Sequence, residues 1–203
     1  MYGCASFARF RHRMLPKHML RAAVLIKALL SSDKRSPDLL APVRQNLRAW
    51  PWLCDALGHI NNARYLDLLS YGRAAWLADS GLLRPLLFNR YSFIVAGINA
   101  VYRRPIPRMT PFSLETRVAG FDDKWAYYEQ TFHLDHDQRG KIAARFLTCG
   151  QLHHRQRRAP LEVIREFGVD VPASPALSTS FEAWAELQRV LLNSINEHDR
   201  VHA

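Results

Sequence analysis

A chain of 203 residues with 48% hydrophobic content suits one domain with appendages and is rich enough to bury a sizeable core. Its formal charge of +10 invites a nucleic-acid reading. The distribution argues against it: residues 1–48 hold ten Lys/Arg against two Asp/Glu, whereas residues 49–203 hold eighteen against sixteen. The body is nearly balanced, so the basicity belongs to a leader and no nucleic-acid partner is expected.

The leader and linker cover residues 1–42. Met19 to Leu30 is apolar apart from Arg21 and Lys27, and falls short of the roughly 20 residues a spanning helix needs. At about 100° per residue, Arg13, Lys17 and Arg21 fall in one helical stripe. Two readings stay open: an amphipathic helix resting on a membrane surface, or a helix packed on its own domain. Residues 31–42, with Pro37 and Pro42, read as a linker. Cys4, Cys54 and Cys149 are widely spaced, no CxxC occurs, and His153-His154 has no nearby ligand partners. A reduced, cytoplasmic setting with peripheral membrane contact as an option, and no metal or other cofactor, is expected.

Val43 to Trp52 reads as a first strand. Asp55 to Asn62, with a glycine and two asparagines, suits a turn that ends in a helix cap. Ala63 to Ser80 follows as a helix whose broad apolar face must be buried, and Gly81 stops it. Tyr91 to Tyr102, Phe112 to Val118, Lys124 to Leu134 and Lys141 to His153 are strand candidates, the last three joined by short turns. One long helix against a five-stranded antiparallel sheet is an α+β layout. Pro160 to Phe167 and Ser180 to Asn196 read as terminal helices. The domain is placed at residues 43–165, with a C-terminal helical extension over 166–203.

The stretch Asp55-Ala-Leu-Gly58-His59-Ile-Asn61-Asn62-Ala-Arg64-Tyr65 resembles the signature of the 4-hydroxybenzoyl-CoA thioesterase-like family. Tyr102-Arg-Arg-Pro105 and Phe121-Asp-Asp-Lys-Trp125 are most similar to its thioesterase superfamily member 6 branch. The resemblance covers about residues 43–165. It implies a hotdog fold, in which the sheet wraps a central helix, and hydrolysis of an acyl thioester carried by coenzyme A or acyl carrier protein. It also implies a homodimer or dimer of dimers whose sheets meet edge to edge, with each site between two subunits. Many relatives carry a second aspartate two positions before the motif aspartate; Leu53 stands there in this chain.

Thioester hydrolysis needs a nucleophile or base and a place for developing oxyanion charge. Asp55 is placed to attack or to activate water. A helix N-terminus offers unpaired N–H groups and a positive dipole end, and the resemblance points to the Asn62 N–H as the donor. Gly58 permits a tight turn and close substrate approach. His59 is a brace for the loop or a partner to the carbonyl or the aspartate, and Asn61 a cap. Arg64 and Tyr65 are expected near the dimer seam, Tyr65 as a substrate contact. Asp67 is a rival carboxylate, more naturally a paired surface charge, and Cys54 lacks an activating base. Arg155, Arg157 and Arg158 are the candidate phosphate contacts for coenzyme A, with a solvated charged face as the alternative. A catalytically silent acyl-thioester binding protein is the competing function, and Leu53 is its support. A membrane- or RNA-binding protein, with the domain as scaffold, rests on the leader alone.

Overall fold

The structure is a computed structural model that describes residues 38–134, 140–169 and 174–201. The leader readings over residues 1–37 lie outside the described residues. Among those described, no helix is long and apolar enough to cross a membrane.

Strand β1 is Val43–Arg48. It stops short of the expected Trp52 because Pro51, with no N–H to give, opens a single 3-10 turn over Pro51–Leu53. Helix α1 spans Asn62–Asp79, and Gly81, at φ 74°, ends the turn that follows. A short helix α2, Leu83–Phe88, follows without a sequence signal; with Arg84 and Pro85 among so few residues, it shows no periodicity. Strands β2 (Ser92–Tyr102), β3 (Pro111–Phe121), β4 (Ala126–Leu134) and β5 (Lys141–His154) follow as expected. A short β6, Gln156–Arg158, then folds back on β5, so the five expected strands gain a sixth. Helices α3 (Pro160–Glu166) and α4 (Thr179–Val201) close the chain.

All pairings are antiparallel, in the order β1-β3-β4-β5-β2, with β1 and β2 at the two edges. Helix α1 lies across one face through Tyr65, Leu68, Leu69, Gly72 and Trp76, spaced three and four apart as a packed helix stripe requires. Gly72 lets it come close: a Cβ there would lie 2.5 Å from Thr116 Oγ1. A buried polar clamp fixes its position along the sheet. Gln130 Nε2 donates to Leu69 O (2.9 Å) and Thr116 Oγ1 (3.1 Å), while Gln130 Oε1 accepts from Arg73 (3.0 Å). Each of these groups would cost about 1–3 kcal/mol if left unpaired.

The other face of the sheet is covered by α4, through Phe181 and Trp184 against Tyr127 and Cys149. The C-terminal extension therefore forms a third layer of the same body. Burial there pushes the Cys149 thiol up to about 11.

Candidate active site

The motif loop is closed by its own backbone. Asp55 N donates to His59 O (3.0 Å), Gly58 N donates to Asp55 O (3.1 Å), and a bridge joins Cys54 to Ile60. Asp55 Oδ1 accepts from Leu57 N at 2.9 Å, the side-chain bond that favours Asp in such turns. Gly58 sits at φ 78°, a conformation costly for a residue with a Cβ. A Cβ there would meet nothing within 4 Å, so the glycine faces open space. The segment Ile106–Met109 braces the loop from outside. Ile60 N donates to Ile106 O (3.0 Å), Arg108 N donates to Gly58 O (2.8 Å), and His59 bridges Pro107.

The loop feeds α1 directly. Asn61 is its N-cap, with Oδ1 accepting from Ala63 N at 2.9 Å, and its own N–H donates to Leu53 O. Asn62 is the first helical residue, and among the described residues nothing accepts its N–H. His59 Nδ1 lies 3.6 Å from Asp55 Oδ2, and both side chains are partly exposed. A carboxylate, an imidazole and an open helix N-terminus with its positive dipole end thus share one eight-residue stretch.

Residues 49–174 match the family model of the thioesterase-like superfamily. The chain belongs to that superfamily. It is 33% identical to Protein THEM6 of Xenopus laevis over 111 residues, 55% of this chain and 53% of the relative. It is 28% identical to the long-chain acyl-CoA thioesterase FadM of Escherichia coli over 90 residues, 44% of this chain and 67% of that protein. The chain spans about half the length of the curated relatives it matches first. Among solved structures, the probable thioesterase YbaW of Escherichia coli superposes with a TM-score of 0.54 at 22% identity. It covers 63% of this chain and 98% of that one. The shared fold is the hotdog.

Other site residues of this thioesterase-like chain fall less neatly. Tyr65 is 2% exposed, edge-on to Tyr102 and Phe132 and tilted against Phe146, and burial holds its phenol in the neutral form. The tyrosine packs within the core under the helix start. Asp67 pairs with Arg64 at 3.2 Å, which makes it the surface charge it resembled. Burial pushes the Cys54 thiol up, against a smaller opposing pull from Arg108, so it is no ready thiolate. Leu53 packs partly buried against the core.

The basic run is not one unit. Arg158 is held by Glu166 (3.1 Å) and Glu162 (4.0 Å) and donates to the Tyr91 hydroxyl (3.4 Å). Its guanidinium is thus engaged within its own chain. Arg155, at φ 60° in the hairpin turn, and Arg157 are exposed. They stand at the Ser92–His153 end of the sheet, whereas the segment bracing the loop leaves β2 after Tyr102. Eleven residues of strand, roughly 35 Å, separate the two ends within one protomer.

Two features around the loop depend on tertiary contacts and leave no motif in the sequence. Arg108, some fifty residues downstream, brings a cation to the loop, close enough to bear on Cys54. Trp50 and Trp52 stack at 5.3 Å between ring centroids and are both exposed, as are nearby Leu57 and Met109. An apolar cavity of about 180 Å³ lies elsewhere, among the C-terminal half of α1, α2 and α3, lined by Trp76, Leu86, Tyr128 and Val163 among others. It lies toward the far end of a helix roughly 27 Å long, away from the loop.

Proposed function

We propose that the protein is an acyl-CoA thioesterase, hydrolysing an acyl thioester to the free acid and coenzyme A. The observation that carries the reading is the open N–H of Asn62 at the start of α1, on the same short loop as the Asp55 carboxylate. The thioester carbonyl oxygen rests at the helix start, where the N–H and the dipole stabilise the oxyanion. Asp55 either attacks the carbonyl carbon directly or takes a proton from water as the water attacks. The C–S bond then breaks and the thiolate leaves to be protonated; after direct attack, water hydrolyses the acyl–Asp55 anhydride, which releases the acid and restores the carboxylate. Gly58 keeps that face free of side-chain atoms, and His59 orients the carboxylate. Acyl carrier protein thioesters present the same reacting group and belong to the same reading.

A homodimer supports this chemistry. Strand β2 is an 11-residue sheet edge that exposes Ile94, Val95, Val101 and Tyr102, and such an edge is a template for a second strand. Antiparallel pairing of β2 with its copy, about a two-fold axis normal to the sheet, sets the Ser92 end of one subunit beside the Tyr102 end of the other. Arg155 and Arg157 of one copy then approach the motif loop of the other, where the phosphates of coenzyme A need cations. The basic leader adds contact with anionic lipid through Lys17, Arg21 and Lys27. A chain begun at Asp38, which keeps the buried Leu39, should lose vesicle binding and keep its activity.

Free-thiol release measured over a panel of acyl-CoA and acyl carrier protein substrates tests the enzyme directly. Turnover that tracks acyl type supports it. Tight acyl-CoA binding without turnover would favour the silent binder, for which the packed, uncharged Leu53 speaks.

A further inference from the structure

We infer that α4 is an arm that reaches across the β2 edge and packs its distal apolar stripe on the outer sheet face of a second copy of this chain. The inference rests on the edge pairing proposed above and adds to it a contact made by residues beyond 174, where the family match ends.

Two anchors give the direction of the helix. Phe181 meets Tyr127 of β4 edge-on, with ring centroids 6.0 Å apart. Seven residues on, the Gln188 side chain lies over Gly97 of β2, where a Cβ would be 2.3 Å from it. Two strand spacings separate β4 from β2, about 10 Å, and seven helical residues rise about the same distance. Helix α4 therefore crosses the sheet from β4 over β5 to the β2 edge. Its remaining thirteen residues, to Val201, run on for roughly 20 Å past that edge.

The burial pattern agrees with this path. Phe181 and Trp184 are buried and Gln188 is partly covered, whereas from Arg189 to Ile195 only Leu192 is even partly covered. The stripe nevertheless continues. Leu191, Leu192 and Ile195 repeat the three- and four-residue spacing of Phe181, Trp184, Ala185 and Gln188 and so fall on the same face. Leu191 is 47% exposed and Ile195 56%, with exposed Leu187 and Val190 widening the patch. The helix keeps a sheet-facing surface after its own sheet has ended.

A strand paired to β2 in a second copy continues the sheet into the space beneath that overhang. The same outer face of β2 presents exposed Ile94 and Val101. The leader is a poorer occupant, because Leu39, where the described chain begins, is packed among Trp76, Leu82 and Leu86 on the α1 side of the sheet. A two-fold axis normal to the sheet places both α1 helices on one face and both α4 arms on the other, each arm over its neighbour.

The test uses the full chain with a benzophenone photo-crosslinker at position 195. Sedimentation first establishes whether the chain dimerises. A cross-link from position 195 to outer-face residues of β2 or β5 in the other subunit is expected. In parallel, Leu191→Asp with Ile195→Asp should raise the dimer dissociation constant at least tenfold, with helix content by circular dichroism and melting temperature retained. A dimer whose cross-links stay within one chain, leader included, or go to added phosphatidylserine vesicles, would overturn the arm and leave the edge pairing standing. So would a dimer that the double variant does not weaken. A chain that is monomeric at every concentration would overturn the edge pairing, and the arm with it.

Discussion

The motif loop at one end of the sheet and the basic hairpin at the other look equally functional as sequence. Both are short, polar and dense in chemically able side chains. The fold treats them differently. In the loop, the backbone bonds of Asp55, Gly58 and Asn61 are satisfied locally, which leaves the Asn62 N–H, the Gly58 face and part of the Asp55 carboxylate open. In the hairpin, Arg158 is tied to Glu162, Glu166 and Tyr91, and its neighbours Arg155 and Arg157 are exposed far from the motif loop of their own chain. Side chains that close on each other stabilise a fold; a site needs groups that the fold positions and then leaves unpaired.

Five variants sharpen or break that contrast. Asp55→Asn carries the largest expected effect, a loss of about a hundredfold to ten-thousandfold in turnover, the scale of lost acid–base help. The amide oxygen still accepts from Leu57 N, so the melting temperature should hold. Full turnover in the folded variant would move the chemistry to His59 or Asp67. Gly58→Val should cost on the order of a hundredfold in rate by crowding the oxyanion donor, and some stability through strain at φ 78°. Gly58→Asn separates the two causes, because asparagine tolerates that backbone: restored melting with a rate still low assigns the loss to the blocked face.

Arg155→Ala combined with Arg157→Ala tests whether the hairpin of one copy serves the loop of the other. Losing charge-assisted contacts of about 1.5 kcal/mol should raise KM for acyl-CoA roughly tenfold and leave kcat alone. An unchanged KM would confine each site to a single protomer. Arg158→Ala is the smallest, costing less than about 1 kcal/mol of stability, because its ion pairs are partly exposed, with no change in KM. A raised KM from Arg158→Ala alone would mean that this arginine leaves its carboxylates to bind substrate.

The sequence by itself determined the α+β layout and the motif loop, for a local reason. Period-two alternation, the Asn61 cap and the Gly58 and Gly81 conformations are written within a few residues of where they act. Strand β1 ends before Trp52 because Pro51 opens a turn, and α2 is too short to show a period. What only the tertiary structure decided concerns residues far apart in the chain. It sent Tyr65 into the core, because the start of α1 packs against Phe132 and Phe146. It paired Arg158 with α3, set Arg108 beside the loop, and laid α4 across the outer face until its apolar stripe ran beyond the sheet. Such placements depend on strand order and on which face meets which helix, and periodicity within a segment carries neither.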